Sequence, residues 1–194
     1  MKRLYIITAL VFIFAVAITA QEHLKFKGIE ITGSLSEFCS KLEQKGFEYS
    51  DSQLDKKNTR IMEGMFTDRM VSAVITATSD CSQVVDVGVV FMSDTESWTT
   101  LKAMFDEYKD LYTTKYGEPS VLSEKFLNDI YDRPGWEMMG VVSDLCDYIA
   151  IWYVPEGAIA IKIVGNNYNS GTILVKYQDN KNSLIRSMQK LDDI

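Results

Sequence analysis

Short runs of β-branched and aromatic residues, broken by Gly, Asp, Asn and Ser, fill most of this chain and constrain its fold most strongly. Alternation of apolar with polar residues inside such runs is typical of β-strands. Successive runs with short polar breaks indicate meanders of an antiparallel sheet. We predict strands near 24–31, 47–51, 59–66, 70–78, 84–92, 120–126, 136–143, 148–154, 158–164 and 171–177.

Three helical patterns accompany the strands. The first begins at the capping box Ser34-Leu35-Ser36-Glu37 and ends at Gly46, and the second begins at Ser93-Asp94-Thr95-Glu96 and continues to Gly117. In a capping box the hydroxyl and the carboxylate each satisfy a free backbone N–H of the first turn. A closing helix over about 181–191 has an apolar side that we expect to pack on the sheet, formed by Leu184, Ile185, Met188 and Leu191.

The chain divides into two similar halves, residues 24–92 and 93–177, followed by the closing helix at 181–191. Each half contains a capped helix, one strand, a polar stretch and a meander of strands, which indicates an internal duplication. Residues 21–194 are long enough for one sizeable core and too short for two. We therefore predict a single α+β domain in which helices pack on one face of an antiparallel β-sheet.

Residues 1–20 have the pattern of a cleavable signal peptide. Lys2 and Arg3 precede an uncharged apolar run from Leu4 to Ala17, and small residues close the run at Ala20. The run is shorter than the roughly 20 apolar residues that a spanning helix needs. We therefore predict export, with cleavage near Ala20, to the periplasm or the extracellular space.

The charge balance weighs against two classes of partner. Removing Lys2 and Arg3 from the 20 basic residues leaves 18 against 27 acidic ones, a net charge of −9 for the chain after cleavage. Such a surface repels phosphate backbones and anionic lipid headgroups. We expect neither nucleic-acid binding nor membrane binding through a basic patch.

Three cysteines occur in a chain bound for an oxidising compartment, where a disulfide is permitted. Cys81 and Cys146 both lie in polar breaks between strands, whereas Cys39 lies in the first helical pattern. If one bridge forms, we expect it between Cys81 and Cys146. The alternative is that all three thiols pack as small apolar groups.

No arrangement of residues for catalysis, metal binding or cofactor binding is recognisable in the sequence. His23 is the one histidine, which weighs against a Ser-His-Asp or Cys-His site and against a zinc site. Nucleotide-binding glycine motifs are lacking, and the oxygen-rich segment 179–183 places Lys181 where a calcium ligand belongs. We therefore expect no metal and no cofactor, and the sequence favours a protein that is not an enzyme.

The run from Tyr148 to Val154 is apolar or aromatic at both alternating sets of positions. A strand with one wet face should alternate apolar with polar residues. Either both faces of this strand are covered, or one set forms an exposed aromatic patch that marks a binding surface. The residues that we assign to such a patch are Trp152, Trp136, Tyr148 and Tyr168.

Several segments of the chain together resemble those of a known group of proteins. These segments are 24–34, Phe38, Leu42, Lys45-Gly46-Phe47, 115–119, 177–182 and 192–194. Through them the chain is similar over nearly its whole exported length to small exported proteins of Bacteroidetes, and the motifs that carry the likeness are caps and turns, so no catalytic residue follows from it. A fainter likeness, of architecture alone, is to the helix-on-sheet domains of beta-lactamase inhibitory proteins and small outer-membrane assembly lipoproteins.

Together these observations favour a non-enzymatic binding or accessory protein of the bacterial envelope, with another envelope protein as partner. Two alternatives stay open. A carboxylate-based hydrolase or carbohydrate-active protein would require at least two acids that converge in one concave pocket. A carrier of a small apolar ligand would require aromatic residues that enclose an apolar cavity.

Overall fold

A single eight-stranded antiparallel sheet organises the computed structural model, which describes residues 22–51, 56–166 and 169–191. The predicted signal peptide and Tyr168 lie outside the described residues. The strands are β1 (Lys25–Phe26), β2 (Ile29–Glu30), β3 (Glu48–Tyr49), β4 (Thr59–Phe66), β5 (Arg69–Ala77), β6 (Val84–Phe91), β7 (Val121–Phe126), β8 (Cys146–Val154), β9 (Gly157–Gly165) and β10 (Gly171–Asp179). The helices are α1 (Leu35–Glu43), α2 (Trp98–Tyr116), α3 (Glu137–Val142) and α4 (Asn180–Leu191), with a short 3-10 helix at Asp129–Asp132.

The order of strands across the sheet is β3-β4-β5-β6-β10-β9-β8-β7. Helix α1 followed by β3 to β6 and helix α2 followed by β7 to β10 are thus two copies of one arrangement, a helix and a four-stranded meander. The last strands of the two meanders pair with each other, for example Val89 with Val175. The predicted α+β class and antiparallel sheet are confirmed, and the internal duplication stays a prediction.

Helix α1 forms where the sequence predicts it. The Ser34 side chain accepts from the backbone N–H of Glu37, and the Glu37 carboxylate accepts from the Ser34 N–H, which completes the capping box. Helix α2 starts later than predicted, because its cap is Ser97, whose hydroxyl accepts from the Thr100 N–H at 3.3 Å. The Ser93 box therefore lies in the connection before the helix.

Two predicted strands are wrong. Residues 24–31 form the hairpin of β1 and β2, because Lys27 and Gly28 both adopt positive φ angles, of 51° and 78°, and make a tight turn. Residues 136–143 form α3 instead of a strand. The Gly140 Cα of this helix lies so close to the Phe126 ring that an added Cβ would be 2.7 Å from it, so tertiary packing decides the conformation of this ambiguous apolar segment.

The core lies between the inner face of the sheet and helices α1 and α2. Alternate residues of each strand point inward, and the buried aromatic side chains pack against one another across both halves. Phe26 of the β1–β2 hairpin contacts Tyr177 of β10 with ring centroids 5.4 Å apart. The hairpin therefore closes the core at the junction of the two halves.

Helix α4 lies on the opposite, outer face of the sheet. Its cap is the fully buried Asp179, which accepts from the backbone N–H of Asn182 at 2.9 Å and from that of Leu24 at 2.9 Å. Arg186 pairs with Asp86 of β6 at 3.2 Å. The helix does pack back onto the sheet, but through polar side chains, and its apolar side is exposed at Leu184, Ile185 and Met188.

Within the described residues, none of the helices combines the length and the hydropathy required to cross a bilayer.

Candidate binding site: the outer face of the sheet

The outer face of the sheet is the side opposite α1 and α2. On β8 it carries Ile149, Ile151 and Tyr153, which alternate with the inward-pointing residues of the strand. The two isoleucines are half-buried, and Tyr153 is 65% exposed. Polar residues are expected on the wet face of an antiparallel strand, so these three side chains are the first sign of a binding surface.

The strand register extends this apolar character across the sheet. Apolar or small side chains dominate two successive rows of cross-strand neighbours, and most of them are half-buried. The first row contains Ile61, Val74, Gly88, Lys176, Ala160, Ile151 and Val121. The second contains Glu63, Ser72, Val90, Leu174, Lys162, Ile149 and Ser123.

Three methionines continue the outer face beyond these rows. Met65 pairs with Met70 in the ladder of β4 and β5, and the Met92 N–H donates to the Met70 carbonyl at 3.1 Å. All three side chains are about half exposed. Methionine is flexible and polarizable, and exposed clusters of it suit surfaces that adapt to a partner.

The charges near the centre of the outer face are basic in an otherwise acidic protein. Lys176 is exposed, and Lys162 faces the highly exposed Asp144 at 3.6 Å, an ion pair of small energetic value. Asp86 is paired with Arg186 of α4. The outer face is thus apolar with positive groups at its centre, and its complement is an apolar surface that carries carboxylates.

Two of the four aromatic residues that we assigned to an exposed patch are buried. Trp152 is 1% exposed and its Nε1 donates to the Gly117 carbonyl at 2.8 Å. Tyr148 packs edge-on against Phe105 under α2, with ring centroids 5.9 Å apart. The assignment of these two side chains to a binding surface is wrong, because β8 turns them toward the helices.

Trp136 is exposed but lies apart from the outer face. It precedes α3, near the exposed side chains of Ile130 and Met139 in the sequence, at the end of the sheet where β7 meets the 3-10 helix. Its assignment to one patch with β8 is therefore not supported by its position, whereas Tyr168 lies outside the described residues.

The expected disulfide between Cys81 and Cys146 is not formed. Cys81 lies in the turn between β5 and β6, whereas Cys146 begins β8 at the opposite end of the strands and in the other half of the sheet. Cys81 instead lines a cavity of about 310 Å³ together with Cys39 of α1. The sequence holds no signal for this neighbourhood, which depends on how α1 packs beside the turn.

Three acidic residues line a cavity of about 510 Å³ at the β3 edge of the sheet. Glu48, Asp51 and Glu63 are among its walls, and the Ser50 hydroxyl donates to Glu63 at 2.6 Å. Nothing in this geometry assigns an acid and a base, and the carboxylate-based hydrolase stays a prediction. Across the described part of the chain, no group of three His, Cys, Asp or Glu side chains is placed to hold a metal ion.

Comparison with known proteins adds no relative: no protein family, no curated protein and no solved structure matches this chain. The resemblance to exported Bacteroidetes proteins and the fainter architectural likeness therefore stay predictions.

The sequence pattern predicted correctly that β8 carries an apolar surface, but it assigned that surface to the side of the strand that the helices cover. The run 148–154 is apolar on both sides, and alternation alone cannot tell which set of side chains the helices will cover. The contributions of β6 and β10 were missed, because their outward residues are separated by about 84 positions in the sequence, as in the pairing of Val90 with Leu174.

Proposed function

We propose that this chain is an exported, non-enzymatic binding protein of the bacterial envelope, which acts on another protein through the outer face of its sheet. The observation that carries the proposal is the row of apolar and small residues from Ile61 on β4 to Val121 on β7, in which Lys176 is the one charged member. Export rests on the signal-peptide pattern of residues 1–20.

The partner that fits is a protein with an apolar surface and acidic groups near its centre. Apolar side chains of the outer face would supply the area removed from water, and Lys162 and Lys176 would pair with carboxylates of the partner. The exposed apolar side of α4 lies on the same side of the sheet, so a partner can contact both.

The test uses two charged variants of the purified protein with its signal peptide removed. Leu174→Glu places a carboxylate at the centre of the outer face, and Met139→Glu places one at an exposed apolar site on α3 as the matched control. A partner recovered from the envelope fraction should be retained by the wild type and by Met139→Glu. We expect its affinity to fall at least about tenfold with Leu174→Glu, because a charge buried in an apolar interface is unfavourable.

Three results would contradict this function. Equal retention by both variants would show that the outer face is not the binding surface. Sedimentation that shows a dimer broken by Leu174→Glu would assign the outer face to a second copy of the chain. A natural N-terminus at Met1, in place of Gln21, would remove the basis for export.

A further inference from the structure

A further concave site lies on the side of the sheet opposite the outer face, at the junction of the two halves. It is a cleft of about 430 Å³ between the β1–β2 hairpin, the β4–β5 turn and the C-terminal half of α2, with β10 beneath it. Clefts of this size commonly accommodate small-molecule ligands. Its walls are formed by Lys25, Lys27, Gly28, Phe66, Thr67, Leu111, Tyr112, Lys115 and Tyr177.

The cleft is basic within an acidic protein. Three of its described lining residues are lysines and none is acidic, whereas the whole chain has a net charge of −7. Lys27 Nζ donates to the Met65 carbonyl at 3.2 Å, and Lys115 Nζ lies 4.9 Å from the centroid of the Tyr116 ring. Neither of these two lysines forms an ion pair with another described residue, so their charges are available to an anion.

Lys25, the third lysine, has carboxylates nearby. Its Nζ lies 3.4 Å from Glu22 and 3.6 Å from Glu30, and all three side chains are about half exposed or more. Ion pairs between exposed side chains contribute little and exchange readily. A ligand carboxylate or phosphate can therefore compete for Lys25.

The floor of the cleft supplies a hydrogen-bond donor. Tyr112 and Tyr177 are more than nine-tenths buried, and their hydroxyls hydrogen-bond to each other. Two hydroxyls carry two protons and the mutual bond uses one, while no other described side chain or carbonyl accepts the second. Burial raises the pKa of both phenols, so both stay protonated and the second proton can be donated to a ligand.

Leu111 and Phe66 add an apolar wall to this polar floor. Leu111 is half exposed at the rim, although the large apolar residues Leu101, Met104 and Phe105 of the same helix are buried. We propose that the cleft binds a small organic anion, whose carboxylate or phosphate group lies among Lys25, Lys27 and Lys115 over the tyrosine pair and whose apolar part lies against Leu111 and Phe66.

Calorimetric titration with three probes of equal chain length tests this proposal. Octanoate and octyl phosphate carry the anionic groups, and octanol carries the same apolar chain without charge. We expect at least one anion to bind at least about tenfold more tightly than octanol. Tighter binding of octanoate assigns a carboxylate ligand, and tighter binding of octyl phosphate assigns a phosphate ligand.

Variants locate the binding within the cleft. The double variant Lys27→Gln/Lys115→Gln should weaken anion binding at least about tenfold, whereas Lys41→Gln, at an exposed position on α1, should leave it unchanged. Tyr112→Phe/Tyr177→Phe keeps both rings, removes both hydroxyls and should also weaken binding. Thermal unfolding of each variant shows whether the fold is retained.

The proposal fails if neither anion binds, if octanol binds as tightly as the anions, or if Lys41→Gln weakens binding as much as the cleft variants do. These outcomes are independent of the outer face, because Leu174→Glu, which tests that surface, leaves every residue of the cleft in place.

Discussion

The side chains of a single strand, β8, lie in two different environments. Trp152 and Tyr148 are buried beneath α2, whereas Tyr153 on the alternating set faces solvent. Aromatic character alone therefore does not mark a binding residue in this protein. At the scale of single residues, the position of the helices decides which aromatic groups a partner can reach.

The three cysteines also differ in environment, and this difference can be measured. Burial raises the pKa of the Cys146 thiol to about 12, and Cys39 is fully buried, whereas Cys81 is partly exposed in a turn. Because the thiolate is the reactive form, Cys146 stays protonated and unreactive at about pH 8. We expect iodoacetamide to modify Cys81 alone in the folded protein and all three cysteines in guanidinium.

Mass spectrometry of the alkylated peptides measures this pattern. In the control variant Cys81→Ser, the folded protein should take up no label. A peptide that links Cys81 to Cys146, or rapid labelling of Cys146 without denaturant, would contradict the arrangement of the strands described above.

At the scale of elements, the start of α2 shows that a capping motif in the sequence does not always form the cap of the helix. Both Ser93 and Ser97 are followed by residues that suit a first helical turn, but only Ser97 accepts from a backbone N–H of the helix. The hydrogen bonds between Thr95 and Gly171 hold the preceding segment against β10 and delay the start of the helix.

The matched pair Ser97→Ala and Ser93→Ala tests this difference. Loss of the cap should lower the free energy of unfolding by about 1 kcal/mol for Ser97→Ala. The Ser93→Ala variant should stay within about 0.5 kcal/mol of the wild type, since its side chain is exposed. Urea unfolding followed by circular dichroism measures both, and equal losses would mean that the helix begins at Ser93.

Helix α4 also differs from what its local sequence pattern predicts. The apolar side of α4 was expected to face the sheet, yet the helix contacts the rest of the molecule through the buried Asn182 and the part-exposed Arg186. The Asn182 amide donates to the carbonyls of Ile31 and Val84, at 2.9 and 2.8 Å. Hydrogen bonds at the end of β10 therefore outweigh the amphipathic pattern in orienting this helix.

At the scale of the whole molecule, the two halves share one sheet and one core. Strands β6 and β10 pair along their length, and Tyr177 of the second half contacts Phe26 before the first meander. We expect the protein to unfold as one cooperative unit, although its element order is repeated.

The positions of the tryptophans provide a test of this cooperativity. Trp98, Trp136 and Trp152 all belong to the second half, whereas Phe38 is fully buried in α1 of the first. Phe38→Ala should lower the free energy of unfolding by about 3–5 kcal/mol, because it leaves a cavity. The transition monitored by tryptophan fluorescence should shift with that of circular dichroism.

A control for this experiment is Leu184→Ala on the exposed side of α4, which should shift neither transition appreciably. If Phe38→Ala moves the circular dichroism transition and leaves the fluorescence transition in place, the two halves unfold separately.

The sequence by itself determined the fold class, eight of the ten predicted strands to within about two residues, the cap of α1 and the repeated order of elements. These features depend on alternation, turn residues and capping, which act between neighbours in the chain. Tertiary structure alone decided which face of β8 is buried, that residues 136–143 form a helix, and how Lys27 and Lys115 come to line one cleft with Tyr177. The reason is physical, since burial and charge at those positions depend on side chains that are distant in the sequence.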